Sequence, residues 1–342
     1  MKKLYLTAIM LFMSVMAFAQ NPLFPNGTNP RVRVIIDNDL SGDPDGVIGL
    51  AHHLMCPSVD VRAVIGSYFP MNHGPQRNNV GESKGATKGA ETAAEVVKLL
   101  GLEGKINVLE GSNTPMVDDN TPAESAGADF IVKEAMREDV KTPLFVCCGG
   151  SLNTIASAYL KEPRIAERLT LVWIGGQETL EELQIVPPGY SKVEYNLNLD
   201  IAAGRVIFNK SNIPMWNVPR AAYRLCLYSY AEMVDKMKPM GKIGEYLFDK
   251  IGSWFNRVSG FMGTAETYIL GDSPLVLLTA LQSIFEPDPS SSHYVVRQSP
   301  IVDENGLFSK NMKGRNIRVY DQLDTRLLFG DMESKLKIWT NR

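Results

Sequence analysis

Short, continuously apolar runs rich in β-branched residues recur along the chain, and each is followed by a stretch with helical spacing. Val32 to Ile36 leads into a helix from about Asp45; Val61 to Ile65 precedes a helix over about Ala90 to Leu100; Ile106 to Leu109 precedes one over about Ala128 to Met136. Leu144 to Cys148 is followed by a helix from Ser151, then come Leu169 to Ile174, a helix over about Ile201 to Phe208, and Ile213 to Val218. Strands apolar on both faces must be covered on both, and helices between them supply the crossovers that parallel pairing requires. The pattern predicts an α/β fold, a largely parallel mixed sheet with helices on both faces. In the tail, Tyr294 to Val302 and Asn316 to Tyr320 read as strands flanking the turn-rich Asp303-Glu304-Asn305-Gly306, and Asp324 to Trp339 as a closing helix.

At 342 residues the chain could hold two domains, but no Pro/Ser/Gly linker separates two units, and residues 20–342 read as one domain. Residues 1–19 combine Lys2 and Lys3 with the apolar run Leu4 to Phe18 and end in Ala17-Phe18-Ala19, the pattern of a secretory signal peptide cleaved before Gln20. The mature protein is expected to be exported, periplasmic or secreted, without stable membrane insertion. Four cysteines, Cys56, Cys147, Cys148 and Cys226, are too scattered for a disulfide framework, and no CxxC pair supports zinc or redox chemistry. With 35 basic against 38 acidic residues there is no basic field to hold nucleic acid.

In an open parallel sheet, ligands bind beyond the carboxyl ends of the strands. Directly after the first strand stands Asp37-Asn38-Asp39-Leu40-Ser41-Gly42-Asp43-Pro44-Asp45-Gly46, four carboxylates within nine residues. Such crowding is relieved by a cation, and hard carboxylate oxygens suit Ca²⁺ or Mg²⁺. An EF-hand loop fails, because Ile48 stands where its bidentate Glu belongs and a strand replaces the leading helix. A phosphatase of the haloacid-dehalogenase type, with an Asp-x-Asp-x-Thr motif resembling Asp37 to Ser41, fits only in part: Gly271-Asp272-Ser273-Pro274 is followed by apolar residues where a second carboxylate should stand.

The chain resembles the inosine-uridine nucleoside hydrolase family, whose first strand runs into Asp-x-Asp-Pro-Gly-x-Asp-Asp. Gly149-Gly150-Ser151-Leu152-Asn153-Thr154-Ile155-Ala156 is similar to the family's Gly-Pro-Leu-Thr-Asn-Ile-Ala, and Leu171-Val172-Trp173-Ile174-Gly175-Gly176 to its strand ending in Gly-Gly. Glu194-Tyr195-Asn196 with Asp200 resembles Glu-Phe-Asn and a downstream Asp; Asp272-Ser273-Pro274-Leu275 resembles His-Asp-Pro-Leu without the His. The segments follow in family order from about residue 31 to the C-terminus.

The resemblance implies a nucleoside-hydrolase-like fold and a Ca²⁺ site made by Asp39, Asp45, Asp272 and a backbone carbonyl, that of Gly149. It implies hydrolysis of N-ribosyl bonds by a metal-activated water with Asp39 as general base, Glu194 and Asn196 gripping ribose hydroxyls, and homo-oligomeric assembly. Asp43 is the candidate for a further sugar contact, and Asn38 and Asn72 offer others. Departures are specific: the first loop is one residue longer than the family form, Leu40-Ser41 replace Pro-Gly, Pro44 precedes Asp45, and Gly271 replaces the His that assists the leaving base. His73 could supply that proton from another loop, while Tyr68, Phe69 and Tyr190 could stack on a base or pack on the core rim. The leading expectation is a calcium-dependent N-glycosidase acting on nucleosides or related ribosides. The alternative is a calcium-dependent sugar-binding protein on the same fold, and a phosphatase is third.

Overall fold

The computed structural model describes residues 23–24, 27–42, 44–71, 83–178 and 192–341. Strand β1 (Val32–Asn38) is buried along its whole length, as its apolar run requires. Arg33 is the exception in kind, and its guanidinium is matched by Glu134 at 2.6 Å and by the carbonyls of Glu134 and Thr142. The chain continues through α1 (Pro44–Leu54), β2 (Val59–Gly66), α2 (Gly85–Leu99), β3 (Asn107–Glu110), α3 (Ala126–Ala135), β4 (Leu144–Cys148), α4 (Asn153–Lys161) and β5 (Leu169–Ile174). It then forms α5 (Tyr195–Leu199), α6 (Ile201–Arg205) running into a π-helical turn at Val206–Lys210, β6 (Met215–Val218) and α7 (Arg220–Tyr223). A ribbon of β7 (Leu227–Ser229) and β8 (Thr267–Ile269) encloses α8 (Tyr230–Glu232) and α9 (Gly241–Met262). Last come α10 (Pro274–Thr279), β9 (His293–Gln298), β10 (Ile301–Val302), β11 (Phe308–Ser309), β12 (Asn316–Gln322) and α11 (Thr325–Thr340).

The main sheet has the order β3-β2-β1-β4-β5-β6-β12-β9, parallel throughout except for the antiparallel edge strand β9. One face is covered by α1, α2, α9, α10 and α11, the other by α3, α4 and α6, and each carries a large apolar cluster. The predicted fold class is therefore observed. At the tail, the expected strand from Tyr294 to Val302 is two: Pro300 follows β9, and Ile301–Val302 leaves the sheet to pair with Phe308–Ser309. Proline cannot donate to a ladder, so the break falls there. The sequence pattern did not announce α9, whose core residues Leu247, Ile251 and Phe255 repeat every four positions but are interleaved with Gly244 and Gly252.

Close backbone packing joins α2 to β2. A Cβ at Gly66 would lie 2.3 Å from the Ala86 carbonyl oxygen and 2.4 Å from the Ala90 nitrogen, so only glycine lets the helix approach the strand there. All four cysteines are free and buried.

On α1, His53 donates to or accepts from Thr279 at 2.8 Å and is buried behind α10. Burial pushes its pKa down to about 3, below the ordinary unfolded value of about 6.5. A depressed histidine pKa means that stability is present above pH 6.5 and is lost as pH falls toward 3. Between pH 6.5 and 5, wild-type protein should lose about 2 kcal/mol more than His53→Gln in urea unfolding. Parallel losses in the two proteins would show that His53 does not carry this dependence.

Candidate active site

The strand order reverses between β1 and β4: the chain winds outward from β1 to β3 and then from β4 toward β6. A crevice at such a switch point is where an open sheet binds its ligand. The acidic segment after β1 and the Gly149-Gly150 turn after β4 meet at this place, tied by the Gly149 N–H donating to the Asp37 carbonyl at 3.0 Å.

Asp37 lies beneath the crevice, fully buried, accepting from Thr154 Oγ1 at 3.1 Å and from Cys148 Sγ at 3.7 Å. Burial raises its pKa to about 7, against the lowering effect of these donors. Asn38 is equally buried and acts as a wedge. A Cβ at Gly46 would lie 2.6 Å from its Oδ1, and a Cβ at Gly149 would lie 2.3 Å from its Nδ2 and 2.7 Å from Asp272 Oδ2. Among the described residues Asn38 Oδ1 has no donor within reach.

Asp45 stands in the first turn of α1, where a carboxylate is favoured by the helix dipole, and its Oδ2 accepts from the Asp272 N–H at 3.0 Å. That bond brings the turn before α10 to α1. Asp39, Asp45, Gly149 and Asp272 thereby line one cavity of about 430 Å³, with Glu194 and Asn196 on a second wall and Tyr223, Trp254 and Tyr268 on a third. Asp39, Asp45 and Asp272 are 2%, 7% and 4% exposed, so each carboxylate is held in a low-dielectric setting.

Six of the residues singled out in the sequence are thus brought together. Asn38 lies behind the cavity as the wedge, and Asp43, Asn72, His73 and Tyr190 lie outside the described residues. Tyr68 and Phe69 are buried in the core, and a Cβ at Gly42 would lie 2.4 Å from the Phe69 ring, so that ring backs the acidic loop.

Glu194 is placed in a way the sequence did not foretell. Its Oε2 accepts from the N–H groups of Gly176, Asn196 and Leu197 at 2.8, 3.0 and 3.1 Å, capping α5, and its Oε1 accepts from the Tyr223 hydroxyl at 2.8 Å. Burial pushes its pKa up and these donors resist. Asn196 donates to the Ile174 carbonyl at 2.9 Å, while Asp200 caps α6 and accepts from Asn153 Nδ2 at 2.7 Å. Sequence reasoning missed Tyr223 and, beside it, the bidentate pair of Arg220 with Glu178 at 2.7 and 2.6 Å. Nothing in the local pattern marks Tyr223; its partner is 29 residues away.

Two other places do not make a site of this kind. A cavity of about 470 Å³ beside β9 and β12, lined by Gln177, Asn217 and Phe308 among others, has no carboxylate among its described lining residues. At the far end of α1, His52, Cys56 and Asp331 have metal-ligating atoms close together, but the Lys335 ammonium sits among them, 2.5 Å from Asp331 and 3.1 Å from Cys56 Sγ. It supplies the positive charge that a metal ion would.

No family model and no curated protein matches the sequence. Solved structures do match. A purine-preferring ribonucleoside hydrolase from Gardnerella vaginalis is 18% identical with a TM-score of 0.66, the alignment covering 90% of this chain and 99% of that one. A plant nucleoside hydrolase is 16% identical at a TM-score of 0.64, with the same coverage. The inosine-uridine preferring nucleoside hydrolase from Bacillus anthracis is 14% identical at 0.59, again over 90% and 99%. The chain has the nucleoside hydrolase fold.

The Tyr223–Glu194 bond is open to a direct check. Tyr223→Phe leaves a buried carboxylate oxygen without its donor and should cost about 1–3 kcal/mol of unfolding free energy. Equal urea midpoints for variant and wild type would show that Glu194 finds another donor.

Proposed function

We propose that this protein is a calcium-dependent hydrolase of N-ribosyl bonds. One observation carries the reading: Asp39 and Asp45 from the segment after β1 and Asp272 from the turn before α10 converge with Gly149 on one cavity at the switch point of the sheet. The donor set fits Ca²⁺, since it consists of hard oxygens, three of them carboxylate. Among the described residues the buried Asn38 Oδ1 has no donor, and Gly149 leaves open the space that a Cβ would take 2.7 Å from Asp272 Oδ2.

Asp39, Asp45, Asp272 and the Gly149 carbonyl would hold the ion, which when bound supplies Lewis-acid activation of water and a template for sugar hydroxyls. Asp39, at the mouth of β1, accepts the proton that the attacking water gives up, the role of a general base. Asp45 and Asp272 keep their relative position through the bond from the Asp272 N–H. Asn196, fixed through its own N–H donation to Ile174, offers an amide oxygen toward sugar hydroxyls. Glu194 orders the wall that carries Asn196, and Asp43 is assigned a sugar contact on sequence grounds. The buried carboxylates stabilise positive charge on an oxocarbenium-like transition state.

A second reading, a calcium-dependent sugar-binding protein, is favoured by Glu194, whose two oxygens are engaged by four donors of the protein itself. Residues 1–19 are assigned as an export signal, and the mature protein as periplasmic or secreted. Among the described residues no helix is long and apolar enough to cross a membrane.

The test is hydrolysis of a nucleoside panel and p-nitrophenyl riboside by the mature protein, with EDTA and with Ca²⁺ restored. EDTA should abolish turnover and Ca²⁺ should restore it, while Asp39→Asn should lower kcat by at least about 100-fold. Turnover indifferent to both would overturn the assignment. No turnover, with Ca²⁺-dependent thermal stabilisation by ribose, would establish the binding protein instead.

A further inference from the structure

The wall of the cavity facing the carboxylates is aromatic and apolar, made by Tyr223, Leu227, Trp254, Tyr268 and Ile269. Trp254 and Tyr268 meet edge to face, their ring centroids 4.9 Å apart at 82°, with Phe255 packed against both. These rings come from α9 and the β7–β8 ribbon, so two elements outside the main sheet build this wall.

Among the described residues the cavity lining holds no histidine, lysine or arginine, and its phenols, Tyr195, Tyr223 and Tyr268, are weak acids. Position 271 carries no side chain, and a Cβ there would pack tightly, 3.2 Å from Tyr223 Cδ2 and 3.3 Å from Asp45 Oδ2. Tyr223 gives its hydroxyl proton to Glu194, and Glu194 accepts from four donors and so has no proton to offer. A neutral purine or pyrimidine leaves readily only when it is protonated as the bond breaks. A ribosylated pyridinium ring needs no proton. Its C–N bond breaks with both electrons going to the ring nitrogen, which cancels the positive charge and releases a neutral heterocycle. Water bonds to the anomeric carbon and gives one proton to Asp39, so atoms and charge balance.

The same wall suits such a substrate while it is bound. Aromatic faces attract a cation, and the four carboxylates that line the cavity, Asp39, Asp45, Glu194 and Asp272, outweigh the two positive charges of a bound Ca²⁺ and leave the enclosure net negative. We propose that the preferred substrates are cationic N-ribosides of pyridinium type, with the ring held against Trp254 and Tyr268. This rests on the hydrolase reading for turnover, whereas recognition of the cationic ring can be measured without it.

Two non-hydrolysable probes isolate recognition: 1-methylnicotinamide, a permanent cation, and nicotinamide, its neutral counterpart, titrated by calorimetry into the Ca²⁺-loaded full mature chain. The cation should bind at least tenfold more tightly. Trp254→Leu should erase the difference and Trp254→Phe, which keeps an aromatic face, should retain most of it. Equal affinities, or a preference that survives in Trp254→Leu, would overturn the proposal. In turnover, kcat/KM for nicotinamide riboside should exceed that for inosine and uridine at least 100-fold. Inosine or uridine cleaved as well as the cation would sink the proposal and leave the hydrolase intact. If no riboside is cleaved, the hydrolase reading fails, and the calorimetric comparison still decides whether the wall is a cationic subsite.

Discussion

Burying several carboxylates at one end of a sheet is the constraint on which the rest of this structure turns. Asp37, Asp39, Asp45, Glu194 and Asp272 are all less than a tenth exposed, and a carboxylate taken out of water is costly unless its charge is removed or given donors. The chain resolves the cost differently at each. Asp37 is raised to a pKa of about 7 and spans neutral and charged forms near neutrality, Glu194 collects three backbone N–H groups and a phenol, and Asp45 takes the N–H of Asp272. A divalent cation is the proposed answer for Asp39, Asp45 and Asp272 together. Each solution fixes backbone as well as charge, so α1, α5 and the turn before α10 are positioned by the same groups that line the cavity.

The sheet was legible in the sequence because its strands are short, apolar and β-branched, a signal that depends only on neighbours along the chain. The convergence at the crevice was legible for a related reason: Asp39, Gly149 and Asp272 each follow a segment whose end could be read, and the switch point of a parallel sheet brings such ends together. What could not be read was interaction across large separations. The sequence resemblance implies a sugar contact for Glu194 and gives no sign of its bonds to the Gly176 N–H and the Tyr223 hydroxyl. The glycines of α9 hid its spacing, and with it Trp254, from any reading of local periodicity.

His52 shows the converse case. A histidine, a thiol and a carboxylate come within ligating distance, a pattern that invites a metal, but the Lys335 ammonium sits among them, paired with Asp331 within α11, while the His52–Asp331 bond joins α1 to α11. The carboxylate cluster at the other end of α1 has no lysine or arginine among the described residues lining its cavity. The helix thus has one end built around an ammonium group and the other around oxygen donors.

The glycine contacts have a consequence for how such a protein can be altered. Gly46 in α1, Gly66 at the end of β2 and Gly149 after β4 face neighbouring backbone or buried polar atoms so closely that a Cβ would lie 2.6, 2.3 and 2.3 Å from them. Side-chain variation there is closed to an engineer and to mutation alike. The aromatic wall stands on α9 and a two-stranded ribbon outside the main sheet, where Leu227 is half exposed and Trp254 meets Tyr268 edge to face. New specificities would therefore be sought by exchanging this outer wall as a unit, with the reacting end inherited unchanged.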